Sequence, residues 1–91
     1  MINTLRIAGL NYEIRERSSE EMDGKLGLAD FNNQLISVNQ SCSSQTKKIA
    51  IYHELIHILS DAYGLQLTEE QVKIGTHALI AFVADNPDFK L

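Results

Sequence analysis

Three residues within KKIAIYHELIHILSDAYG, residues 47–64, have types and a spacing that can do chemistry: His53, Glu54 and His57. On a helix each residue advances by about 100°, so histidines four apart lie nearly above one another and their imidazoles reach a single metal ion. This is the H-E-x-x-H pattern, in which the two histidines bind zinc and the glutamate serves as a base beside the open coordination position. Ala50 and Asp61 fall in the same sector of the helical wheel, while Ile51, Tyr52, Leu55, Ile56, Ile58, Leu59 and Ala62 cover the rest. The segment therefore reads as a central helix, packed on most sides, with one narrow polar stripe. A lone histidine in such a helix is read as a core residue held by hydrogen bonds. Three groups with metal-site roles on one stripe point to zinc instead.

Two histidines do not complete a zinc site, which takes a third protein ligand and keeps water in the fourth position. The segment LTEEQV opens a second helix, whose apolar arc through Val72, Leu79, Phe82 and Val83 is expected to face the first helix and the sheet. Glu69 lies at the edge of that arc and Glu70 points almost oppositely, so Glu69 is the expected ligand, with Glu70 and His77 as alternatives. Both glutamates also suit the positive end of the helix dipole, which is the competing role for them. With the metal held by His53, His57 and Glu69, Glu54 is placed to take a proton from an activated water and return it to the leaving amine of a cleaved peptide bond. His77 and Tyr63 are the candidate donors to the oxyanion.

The remaining sequence supplies the elements that position these groups. Apolar residues alternate in TLRIA and NYEIRER around Gly9, and again in KLGLADF and QLISVN around Asn32-Asn33, which predicts two hairpins. SSEEMDG is a polar connector, and Gly27 marks a bulge or a close backbone approach. QLISVN reads as a sheet edge against which an extended peptide can pair. In the loop QSCSSQ, Ser43 or Ser44 caps the first helix and Gly64 stops it. Thr68 and Gln71 have capping-box spacing for the second helix, which Pro87 ends. The expected fold is α+β, a minimal zincin-like domain. Residues 1–42 form a small, mostly antiparallel sheet of three or four strands, and residues 43–91 form two packed helices that hold the zinc.

Composition narrows the function. Ninety-one residues make one small domain, and 44% hydrophobic with 22% charged residues is ordinary for a globular chain. A net charge of -4 argues against a nucleic-acid backbone or an anionic membrane as the main partner, because both favour a basic surface. Neither a leader pattern nor an apolar run of about 18 residues is apparent. A single cysteine, Cys42, fits a reducing compartment, so the cytoplasm is the expected location. Cys42 precedes the motif helix, where a thiolate could block the metal, but it reads more simply as a free thiol.

HELIH followed by a helix beginning LTEEQV resembles the gluzincin class of zinc metallopeptidases, in particular small phage and prophage proteins related to the ImmA/IrrE peptidases. The resemblance takes in most of the chain, including GLAD, QLISVN and the closing DNP. It implies zinc bound by His53, His57 and Glu69, with Glu54 as base and a protein or peptide as substrate. Two features depart from it. Thermolysin-like gluzincins place an aspartate four residues after the glutamate ligand, where this chain has Lys73, so Asp61 is the expected support for His57. The chain also has no counterpart of the large helical domain that walls a peptidase cleft. The alternative is a non-catalytic, zinc-stabilised interaction protein, against which Glu54 argues because a purely structural site needs no base. A DNA-binding repressor fragment ranks last on charge and helix length.

Overall fold

Residues 4–89 are described by a computed structural model, in which alternating apolar side chains build the first half of the chain. Strand β1 (Thr4–Ile7) pairs antiparallel with β2 (Leu10–Arg17), and their turn carries positive φ at both Ala8 and Gly9, as a two-residue hairpin of matching twist requires. Strand β3 (Gly27–Asp30) pairs antiparallel with β4 (Leu35–Asn39). In this second turn the positive φ falls on Gln34 rather than on Asn32-Asn33. Asn33 instead ties the turn down, its backbone N–H and side-chain amide donating to the two oxygens of Asp30 at 3.1 and 2.9 Å.

The sheet runs in the order β1-β2-β4-β3, and β4 is parallel to β2, with Ile14 opposite Ile36 and Glu16 opposite Val38. Two pairings are thus antiparallel and one is parallel, a mixed sheet. The expectation that QLISVN forms an edge is overturned, since β4 lies inside the sheet and the edges are β1 and β3. The physical reason is burial. Ile36 and Val38 are fully buried in the core, and the alternate residues Ser37 and Asn39 are buried as well, so β4 is covered on both faces and paired on both sides. Residues 18–26 link β2 to β3 past the end of β4, burying Met22, and Asn39 secures their last turn by donating from its side-chain amide to the Lys25 carbonyl.

Helix α1 (Ser44–Tyr63) starts at Ser43, whose hydroxyl accepts from the Thr46 N–H, and stops at Gly64 in the left-handed region. Its Ala50 and Ile58, with Ile51, Leu55 and Leu59 beside them, pack on Ile7, Tyr12, Ile14, Ile36 and Val38 of the sheet. Helix α2 (Glu69–Asp85) opens with both arms of the Thr68–Gln71 capping box formed. It packs on α1 and touches no strand among the described residues. The expected apolar arc is therefore only partly correct: Val72 and Thr76 are the buried residues of α2, while Phe82 and Val83 stay exposed. Thr76 fits an apolar contact because its hydroxyl donates to the Val72 carbonyl at 2.8 Å, leaving its methyl to pack. No helix among the described residues is long and apolar enough to cross a membrane.

These contacts assign the helix pairing to the first half of α2. Val72→Ala is expected to destabilise the protein by about 2 kcal/mol, a large-to-small change at a fully buried site. Phe82→Ala is expected to cost less than about 1 kcal/mol, as surface changes usually do. Urea unfolding of the two variants measures the difference, and equal losses would mean that the far half of α2 is also docked.

Candidate metal centre

His53, Glu54 and His57 occupy successive turns in the middle of α1, which packs on the sheet and on α2. What brings a fourth group to them is the short connection between the helices. Buried Ser60, near the end of α1, holds it twice: its carbonyl accepts from the Leu65 N–H at 3.0 Å and its hydroxyl from the Leu67 N–H at 3.1 Å. Gly64 and Gln66 take the positive φ that the reversal requires. Thr68 then caps α2, and Glu69, its first residue, stands opposite the two histidines.

The carboxylate of Glu69 grips both imidazoles. Its Oε1 lies 2.7 Å from His53 Nε2 and its Oε2 lies 3.0 Å from His57 Nε2. The two rings meet edge to face with centroids 4.9 Å apart, and one donor atom from each of the three residues falls within a 4.8 Å span. Two imidazole nitrogens and a carboxylate oxygen are a donor set that zinc accepts. With bonds near 2 Å, ligands of one tetrahedral zinc stand about 3.3 Å apart, so to share one ion the short Glu69 contacts must lengthen slightly and the widest donor separation must close by roughly an ångström or more. The side chains of His53 and His57 are 24% and 31% exposed and that of Glu69 is 69% exposed, so the cluster is buried on one side and meets solvent on the other.

Glu54 shares the cleft without joining the cluster. The cleft holds about 530 Å³ and is lined by Lys25, Leu26 and Gly27 at the start of β3, by Glu69, and by the three motif residues. Burial raises the pKa of the Glu54 carboxyl. The charges of His53 and His57 work against this, Glu69 adds to it, and the Ala29 amide opposes it by hydrogen bonding. The result is a carboxylate more basic than an exposed one, beside three metal-type donors. A larger groove of about 660 Å³ lies elsewhere, between α1 and β1–β2, but its lining is mainly apolar and its charges include the Glu16–Lys47 ion pair. It offers no comparable cluster.

The other residues singled out from the sequence lie outside this centre. Glu70 is exposed and does not belong to the three-residue cluster. His77, two turns along α2, faces a separate hollow with Ser44 and Lys48, and Tyr63 is exposed at the end of α1; neither lines the cleft that contains Glu54. Asp61 borders a shallow hollow beside His57, but the carboxylate that His57 Nε2 meets belongs to Glu69. Cys42 is half-buried and apart from the cluster. Sequence reasoning missed Ser60 and the Lys25–Leu26 wall. A serine in the apolar run HILSDAY was the only signal for the first, and no pattern pointed to the second. Comparison with protein-family models, with curated proteins and with solved structures finds no match.

Two measurements test this geometry. Glu69→Ala is expected to weaken zinc affinity by more than about 100-fold, beyond the loss typical of an outer-shell change, while Glu70→Ala leaves it nearly unchanged. Competition with a chromogenic chelator reads both. The second concerns the metal-free protein. Because folding raises the Glu54 pKa, its favourable contribution is present below the ordinary carboxyl value and is lost as pH rises through the raised one. At neutral pH the ionised group therefore costs stability. Glu54→Gln is expected to unfold at a higher denaturant concentration than the parent at pH 7, with the advantage shrinking toward pH ~4.

Proposed function

We propose that this chain is a zinc-dependent metallopeptidase that hydrolyses a peptide bond, of the gluzincin kind and similar to the small phage and prophage proteins related to ImmA/IrrE. The observation that carries the reading is the convergence of His53 Nε2, His57 Nε2 and the Glu69 carboxylate from two helices, with Glu54 beside them in one open cleft. His53, His57 and Glu69 would hold the metal, which when bound would polarise a water and a substrate carbonyl. Glu54 supplies the base: its carboxyl is not engaged by the cluster, and burial raises its affinity for a proton. It takes that proton from the attacking water and delivers it to the leaving amine. Strand β3 borders the cleft at Gly27 and is an edge of the sheet among the described residues, which suits an extended peptide adding as a further strand. A protein or peptide is accordingly the substrate class. The lone, free Cys42 accords with a cytoplasmic setting.

The second reading is a non-catalytic module in which zinc staples α2 to α1. It draws on the limited contact of α2, which packs on α1 alone. The solvent-facing side of the cluster and the half-buried Glu54 favour catalysis, since a structural site closes its fourth position with protein.

Zinc-loaded Glu54→Gln separates the two. It is expected to retain about one zinc per chain and to lose turnover of an unfolded protein substrate by about 100-fold or more. A variant as active as the parent would remove Glu54 from the chemistry.

A further inference from the structure

What sets glycine apart at position 27 is space and not backbone conformation. Gly27 is the first residue of β3, paired with Val38, and lacks the left-handed φ that Gly9, Gly24 and Gly64 adopt. A Cβ built at Gly27 would stand 3.2 Å from Glu54 Cγ, 3.3 Å from Glu54 Oε2 and 3.3 Å from the Ala50 methyl. Gly75 provides the contrast, because a Cβ there meets nothing closer than Ile56 Cδ1 at 3.7 Å, an ordinary contact. Position 27 is thus where the edge strand comes close enough to α1 for an added methyl to crowd the side chain of Glu54 by a few tenths of an ångström.

We propose that Gly27 is the positioning residue for Glu54: its bare backbone forms the surface against which the Glu54 side chain lies, setting where the carboxylate stands relative to the histidine–glutamate cluster. The neighbours of an added methyl differ in their freedom to move. Ala50 is fixed in the middle of α1 and buried, and the strand itself is held by its pairing with β4. Only Glu54 can swing away. None of the three nearest contacts belongs to His53, His57 or Glu69, so a methyl at position 27 acts first on the base and not on the metal-binding donors. The catalytic consequence rests on the metallopeptidase reading, but the displacement does not.

The test compares zinc-loaded parent, Gly27→Ala and the double variant Gly27→Ala/Ala50→Gly. Gly27→Ala is expected to lower kcat by about 10- to 100-fold, with KM and zinc affinity changed less than about twofold. Ala50→Gly removes the other tight contact but leaves the new methyl against Glu54, so the double variant is expected to keep the lowered kcat, and full recovery would overturn the proposal. Crystal structures of the zinc-loaded parent and Gly27→Ala supply a readout independent of activity, and a shifted Glu54 carboxylate over an unmoved cluster is the expected result. If the parent itself cleaves nothing, the peptidase reading fails while the crystallographic comparison still decides the proposal. Glu54 in its parental position in Gly27→Ala, a kcat equal to the parent's, or a loss of zinc in place of a loss of kcat would each overturn it.

Discussion

The arrangement of the second half of the molecule depends on one carboxylate. Glu69 reaches from the first turn of α2 to two imidazoles on α1, at 2.7 and 3.0 Å, and so adds a polar link to helices that also pack through Val72 and Thr76. Among the described residues α2 touches no strand, so the sheet does not fix its placement directly. Its position follows from Val72 and Thr76 against α1, from the hold of Ser60 on the connection, and from Glu69 itself. A shift of α2 by one residue would turn Glu69 by about 100° and break the grip, so the cap at Thr68 fixes the site as well as the helix.

A second constraint acts from the sheet side. Glu54 points into the same cleft but is held by β3, whose glycine admits it and whose Ala29 amide offsets part of its burial. The two carboxylates of the site are therefore positioned by different layers of the fold. Glu69 is delivered by α2 and is mostly exposed, whereas Glu54 is trapped between α1 and the sheet. This separation gives the two groups different chemistry, since the exposed carboxylate is free to meet a cation and the sequestered one is made more basic.

What could be read from the sequence was whatever depends on local spacing. His53 and His57 four apart, Ser43 and Gly64 bounding α1, and Thr68 with Gln71 opening α2 are each decided within a turn or two of helix, and each stands as expected. Glu69 was legible for the same reason, as a phase on a helical wheel. The parallel pairing of β2 with β4 was not, because alternation in QLISVN marks a strand without naming its neighbours, and the contact of Asn39 with the crossing connection is one that no local pattern encodes. The exposure of Phe82 and Val83 was hidden likewise. An apolar arc predicts a buried face only where a partner extends far enough to cover it.

A chain of this size has little apolar surface to spare, yet it sets two histidines and a glutamate into its central helix. The cost is acceptable only if those groups return stability or function. A divalent ion bound by His53, His57 and Glu69 would return stability directly, because it would link α1 to α2, and binding energy of that kind is folding energy. On this argument the stapling and catalytic readings describe one site, since any metal bound there would fasten α2. Glu54 separates them. It contributes nothing to the grip between the helices, it carries a burial cost that glutamine would avoid, and the strand beside it is reduced to glycine to accommodate it. On the metallopeptidase reading proposed above that carboxylate is the base, a role that a metal serving only to fasten two helices does not call for.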